Sequence, residues 1–279
     1  VREPVVIERR FRGPPNSAQG GYAAGLLAEQ IDGPAMVSLR LPPPLERRLE
    51  LRRDLERAVA LMDGDRLVAE GNPAELDLEL PDPVSYEEAL RASADCPWTD
   101  RHPFPGCFGC GPERSRDEAL AIAMGPVAGR DLFAAAWTPS AGFAGADGAL
   151  APRFVWAALD CPSAAPHLLH TPACVLARLT GCLQAPVLAG RPHTVLSWPI
   201  DHDGRKHRAG TAIFGSDGEL CASAEGLWVE LRDPASMDVQ VALTGAQPPQ
   251  APAVDLHRAV LHVAVGLPFQ ARHQLVVEG

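Results

Sequence analysis

The feature that most constrains this chain is an order of elements that occurs twice. Residues 18–31 read as a helix, 35–41 as an apolar strand, and Pro42-Pro43-Pro44 breaks the chain. After a further strand-like stretch, Ala58-Val59-Ala60-Leu61-Met62 runs through Asp63-Gly64-Asp65 into Leu67-Val68-Ala69-Glu70-Gly71. In the second half, residues 154–169 read as a helix, 175–183 as an apolar strand, and prolines 186 and 192 bound a break. There Ala212-Ile213-Phe214 runs through Ser216-Asp217-Gly218 into Leu220-Cys221-Ala222-Ser223. Asp-Gly between apolar runs signals a hairpin, because both residues tolerate positive φ. Two hairpins alone prove little; the same ordered set preceding each points to an internal duplication.

One segment has two periodicities. Over 45–62, Leu45, Leu49, Leu55 and Val59 lie near one helical face, but Leu49, Leu51, Leu55, Val59 and Leu61 also alternate with a period of two. The matching stretch, 194–214, contains Asp203-Gly204 and β-branched residues that suit a helix poorly, so the repeat predicts strands in both copies. The chain then divides into residues 1–80, a proline-rich linker over 81–110, a second domain over 111–232, and an extension over 233–279 that fits neither copy. The linker carries a short helical stretch at 86–94 and is expected to lie over the surface.

Charge and composition narrow the function classes. A net charge of −10 with a pI near 5.4 repels phosphate backbones, which argues against a nucleic-acid role. A polyanionic ligand would need a local basic cluster. No apolar leader or stretch of about 18 apolar residues is visible, so a cytoplasmic protein without membrane contact is expected. Seven scattered cysteines do not form a disulfide framework.

Several constellations could carry chemistry. Gly13-Pro14-Pro15-Asn16-Ser17-Ala18-Gln19-Gly20-Gly21-Tyr22 leads into the first helix. Glycines there leave N–H groups open to a phosphate or a developing oxyanion; equally, Asn16 or Ser17 could simply cap the helix. In Arg153-Phe154-Val155-Trp156-Ala157-Ala158-Leu159-Asp160-Cys161-Pro162, Asp160 follows an apolar helical run. Burial there would raise its pKa and suit it to act as base or nucleophile, or Asp160 could cap the next turn. Cys107-Phe108-Gly109-Cys110 could be half a zinc site or a redox pair. Cys96 and His102 would have to complete a zinc set, so a tight packed turn without metal is expected. Arg205-Lys206-His207-Arg208 is either a solvated strand end or a contact for phosphates. Trp137, Trp156 and Trp198 are candidate pocket walls, although core packing is the usual role of a tryptophan. No Gly-x-Ser-x-Gly elbow, phosphate loop or dinucleotide glycine pattern occurs.

Cys107-Phe108-Gly109-Cys110-Gly111-Pro112, followed by Leu120-Ala121-Ile122 and a strand ending at Trp137, resembles the opening of many hotdog-fold acyl-CoA thioesterases. The resemblance covers roughly residues 5–232. It implies an α+β fold in which an antiparallel sheet wraps a long central helix, twice over, with 1–80 and 111–232 as the two hotdog domains. Family members often start the helix with His-Gly-Gly and carry an acid two turns on. Gln19-Gly20-Gly21 is similar to that start, with Gln for His, and Ala119 stands where the family often has Gly. The first helix has Ala28 at the acid position, with neighbouring Glu29 expected to face another way, while Asp160 matches it in the second. Pro152-Arg153 replaces the second glycine pair. The resemblance therefore implies one composite site, with Gly20 and Gly21 as oxyanion donors and Asp160 as the acid. Asn16, Gln19, Tyr22, Trp156, Arg205 and Lys206 would contact substrate, and the second site would be empty. The expected activity is hydrolysis of an acyl-CoA or related thioester, with coenzyme A as part of the substrate and no metal or other cofactor. The halves would form an intramolecular pseudo-dimer, with room for a further homodimer. A hotdog hydratase or dehydratase and a non-catalytic acyl-ligand binding protein are the rival readings.

Overall fold

The structure is a computed structural model and describes residues 2–54, 58–169 and 174–232. The extension over 233–279 lies outside the described residues. The first half contributes β1 (Arg2–Val6), α1 (Gly20–Ala28), β2 (Ala35–Leu39), β3 (Arg48–Arg53), β4 (Val59–Asp63) and β5 (Arg66–Pro73). A connecting helix, α2 (Tyr86–Ala94), leads to β6 (Gly125–Pro126) and β7 (Phe133–Trp137). The second half continues with α3 (Pro152–Leu168), β8 (Cys174–Leu183), β9 (His193–Asp203), β10 (Lys206–Gly215) and β11 (Leu220–Glu230).

All strands join one antiparallel sheet in the order β1-β3-β4-β5-β2-β8-β11-β10-β9-β7-β6. Read outward from the β2–β8 seam, the two halves repeat each other: β2, β5, β4, β3, β1 on one side and β8, β11, β10, β9, β7 on the other. The seam runs in register from Ala35 opposite Gly181 to Ser38 opposite Arg178. Each Asp-Gly hairpin falls at the same place in its half, β4–β5 and β10–β11.

Residues 48–53 and 59–63 are strands, with Leu49, Leu51, Val59 and Leu61 buried at alternate positions. Period two therefore wins over the helical reading, because in this half of the sheet the helices cover one face only. β1 had no counterpart in the sequence reading. Its five residues, Arg-Glu-Pro-Val-Val, carry little apolar pattern, and it is an edge strand with Val6 52% exposed.

Both helices lie on the same sheet and pack against each other. Their lengths differ from the expectation of two long helices: α3 has 17 residues, but α1 only nine. Asp32-Gly33-Pro34, with Gly33 at φ 80°, prevents α1 from continuing. Every residue of α1 from Gly21 to Ala28 is buried, as expected of a helix that is apolar on all sides. Glycines make the close approach possible. A Cβ at Gly21 would lie 2.4 Å from Asp160 Cβ and 2.5 Å from the Trp156 carbonyl oxygen, and one at Gly25 would lie 2.4 Å from Arg153 Cα.

The segment read as a surface linker lies over the surface only in part. Helix α2 occupies 86–94 as expected, with a capping box at Ser85 and Glu88. It buries Ala89 and Ala92 in a second cluster with Leu132, Ala134, Leu196, Ala212 and Phe214. The end of the segment dives into the main core: Phe108 is fully buried against Phe11, Tyr22, Phe143 and Phe154, and its N–H donates to the Arg12 carbonyl. An aromatic side chain of this size has too much apolar surface to remain outside. Among the described residues, no helix is long and apolar enough to cross a membrane.

Candidate active site

The α1–α3 contact brings Gly20, Gly21 and Asp160 together. Asp160 Oδ2 accepts the Gly21 N–H at 2.6 Å, and a Cβ on Gly20 would stand 3.3 Å from the same oxygen. Asp160 is 3% exposed, and its other oxygen, Oδ1, has no hydrogen-bond partner. Burial pushes its pKa up to about 7, against the stabilising Gly21 N–H and with a further raising effect from Cys107. A buried carboxylate with one free oxygen and a near-neutral pKa is suited to exchange a proton with a bound water or to attack a carbonyl.

The helix start supplies the donors. Gln19 is the N-cap: its Oε1 accepts the Tyr22 N–H at 2.6 Å, and Gly21 N–H goes to Asp160. The Gly20 N–H has no hydrogen bond among the described residues. Gly20 also retains partial exposure, and a Cβ there would stand only 3.0 Å from Leu39 Cδ1 and 3.2 Å from Leu176 Cδ2, so the two leucines close in on the glycine at the β2–β8 seam. These two leucines were not singled out from sequence. Only the strand pairing brings them to the glycine.

The second, pseudo-equivalent position corrects one expectation. It is not empty, and Glu29 does not face elsewhere. Glu29 Oε1 accepts both the Arg153 backbone N–H at 3.0 Å and Arg153 Nε at 2.8 Å, while Oε2 lies 2.8 Å from Nη2. Each helix start is thus capped by an acid from the other helix, Asp160 at Gly21 and Glu29 at Arg153. By position along the helix the acid would fall on Ala28. Glutamate has one more methylene than aspartate and reaches the same kind of N–H from the next residue. At this second position the carboxylate is neutralised by a guanidinium, and both oxygens are occupied.

A prediction follows from that asymmetry. Glu29→Gln keeps an acceptor for the Arg153 N–H but removes the charge of a pair whose side chains are 13% and 38% exposed. The expected loss is about 1–2 kcal/mol of stability, between the values for exposed and buried ion pairs. Chemical denaturation would measure it. No change would mean that the pair is already screened.

The other residues expected at the site divide. Gln19 is 1% exposed and donates from Nε2 to the Ala157 carbonyl at 3.1 Å, with Cys161 Sγ at 3.4 Å. It staples α1 to α3 rather than standing free for substrate. Tyr22 is buried and stacks on Phe11 at 4.2 Å, with its hydroxyl pKa raised by burial. Trp156 is buried, and its ring covers Gly181 on β8. Asn16 is exposed on the turn before Ser17.

Arg205 donates from Nη1 to the Glu230 carbonyl at 2.6 Å, which ties the β9–β10 turn to β11. His207 faces α3, with its ring 4.8 Å from that of His167, so strand alternation directs the neighbouring Lys206 to the opposite sheet face. Lys206 therefore does not join Gly20 and Asp160. Trp198 also lies on that far face, against Gly210. Trp137 is buried and donates from Nε1 to the Leu120 carbonyl.

No family model and no curated protein sequence matches this chain. Solved structures do. A protein described as a candidate thioesterase II from Thermobifida fusca YX aligns over 83% of this chain and 92% of its own, at 17% identity and a TM-score of 0.55. The acyl-CoA thioesterase II TesB2 of Mycobacterium marinum aligns over 84% and 94%, at 11% identity and a TM-score of 0.51. A protein with the hot dog fold from Alicyclobacillus acidocaldarius aligns over 83% and 94%, at 11% identity and a TM-score of 0.52. At these identities the likeness is one of fold. The duplicated sheet, its two central helices and these alignments together give the chain a tandem hotdog fold, shared with these solved structures.

Proposed function

We propose that the protein hydrolyses an acyl-CoA or a related acyl thioester at the site formed by Asp160 and the Gly20-Gly21 helix start. The observation that carries this reading is the buried Asp160 carboxylate at the helix start, with Oδ2 held by the Gly21 N–H and Oδ1 without a partner, next to a Gly20 N–H that is also unpaired. One side chain can supply the base or nucleophile, and the helix start can supply an oxyanion donor.

The thioester carbonyl enters beside Gly20, with its oxygen on the Gly20 N–H and its acyl chain toward Leu39 and Leu176. Asp160 then follows one of two routes. As a base, it takes a proton from water as the hydroxyl adds to the carbonyl carbon, and the C–S bond breaks to release the thiolate. As a nucleophile, its oxygen displaces the thiolate to form an anhydride, which water then cleaves to regenerate the carboxylate. Turning toward substrate on either route would free the Gly21 N–H as a second oxyanion donor. Among the described residues no His hydrogen-bonds Asp160, which disfavours the hydratase and dehydratase reading, because that chemistry needs a His paired with an acid.

The test is release of free thiol from a panel of short, long and aromatic acyl-CoAs. Turnover above the uncatalysed rate on at least one member is expected. Binding without turnover across the panel would favour an acyl-ligand binding protein instead.

A further inference from the structure

We propose that Cys107, Cys110 and Cys161 form a zinc site, with His102 as the fourth ligand. The sequence argued against zinc, because it offered only Cys96 and His102 to complete the Cys-x-x-Cys pair. The fold instead brings in Cys161 from α3, the residue after Asp160.

The geometry suits a metal better than a bare thiol cluster. The three sulfurs all lie within 4.8 Å of one another, and Cys107 and Cys161 Sγ are 3.7 Å apart. Zinc–sulfur bonds of about 2.3 Å at the tetrahedral angle place two sulfurs about 3.8 Å apart. A disulfide needs about 2.0 Å. His102 Nε2 stands 3.2 Å from Cys110 Sγ but lies more than 4.8 Å from at least one of the other two sulfurs, so its ring must turn inward to become the fourth ligand.

The loop is built around these sulfurs. Cys107 N–H donates to the Phe104 carbonyl, Gly111 N–H to the Cys107 carbonyl and Ile122 N–H to the Gly109 carbonyl, which folds Cys107 and Cys110 into one tight turn. A Cβ at Gly109 would lie 2.6 Å from Cys161 Sγ, so the glycine makes room for the third sulfur. At Gly111 a Cβ would meet the Pro105 carbonyl oxygen at 2.4 Å and Cys107 N at 2.5 Å, so that position also excludes a side chain.

Thiolate-rich sets with imidazole select zinc over hard cations such as magnesium or calcium. Binding converts three thiols to thiolates and releases three protons, which leaves a complex of net charge −1 with neutral His102. Nδ1 of His102 now accepts the Phe104 N–H at 3.0 Å, so its proton sits on Nε2. Ligation through Nε2 moves that proton to Nδ1 and exchanges the Phe104 bond for the metal bond. The bound metal would tie α3 at Asp160 to the loop that crosses both halves, fixing the carboxylate's position without touching substrate.

The experiment uses the full chain, expressed with zinc and washed with a weak chelator, and reads metal content directly. Stoichiometric zinc is expected, with thiolate-to-metal charge transfer and tetrahedral ligand-field bands after cobalt replacement. Cys161→Ser should lose the metal, His102→Ala should weaken binding and alter the cobalt bands, and Cys182→Ser, outside the cluster, should retain it. If Cys161→Ser fails to fold, the wild type alone decides, because removing zinc with a strong chelator should lower Tm and returning it should restore Tm. Metal-free protein whose three thiols titrate freely, or a Cys107–Cys161 disulfide found by mass spectrometry, would overturn the proposal. These readouts do not use catalysis, so they stand or fall separately from the thioesterase reading.

Discussion

Asp160→Asn is expected to reduce thioester turnover by hundreds-fold or more while leaving substrate binding nearly unchanged. The asparagine Oδ1 can still accept the Gly21 N–H, so the α1–α3 contact is preserved. The substitution removes the group that accepts a proton or attacks the carbonyl, and general-base catalysis is commonly worth about 10²–10⁴ in rate. Burial already disfavours the charged carboxylate, so the neutral isostere should cost little stability. Turnover and ligand affinity measured on the same preparation separate the two effects. A parallel loss of affinity and folding would indicate a structural role for Asp160.

Gly21→Val should be the most damaging single change to the fold. The first added atom would fall 2.4 Å from Asp160 Cβ and 2.5 Å from the Trp156 carbonyl oxygen. Neither is the flexible end of a side chain, so the helices must separate. Overpacking a core ordinarily costs about 1–3 kcal/mol, and a clash against backbone should reach or exceed the top of that range. Poor soluble yield, a Tm lowered by many degrees and loss of turnover are expected together. Gly20→Ala provides the contrast. Its Cβ meets the tips of Leu39 and Leu176, at 3.0 and 3.2 Å, and Asp160 Oδ2 at 3.3 Å, all ends of side chains, so the protein should fold while access to the Gly20 N–H narrows. Equal thermal stability of Gly21→Val and wild type would contradict the close-packed seam.

The duplication was legible because turn chemistry and alternation are local properties. Asp63-Gly64 and Asp217-Gly218 announce hairpins, and Leu49, Leu51, Val59 and Leu61 alternate as half-buried strands do. β1 was not legible, because an edge strand needs no apolar run and its pairing with β3 is a long-range fact. The short α1 is set by Asp32-Gly33-Pro34, whose breaking effect was underestimated against the apolar stretch before it.

At the site, the residue types could be read but their partners could not. Asp160 stood out as a carboxylate after an apolar run, yet its bond to Gly21 depends on how two helices cross. Glu29 was set aside by counting along the helix. Side-chain reach, which counting ignores, brings it to Arg153. Gln19, read as a substrate contact, is used up as a cap and staple. Cys161 joins Cys107 and Cys110 only because α3 passes under the loop, which no spacing rule reveals. Lys206 belonged to a basic run that the sheet splits between its two faces.

Under the proposed function the two capped helix starts differ, with Asp160 catalytic and Glu29 structural. The most direct test is turnover of Asp160→Asn and Glu29→Gln on one thioester, each normalised to folded protein. A loss of hundreds-fold or more is expected for Asp160→Asn and near wild-type turnover for Glu29→Gln. Abolition of activity by Glu29→Gln with Asp160→Asn still active would contradict that assignment and move the site to the Arg153 end of the helix pair.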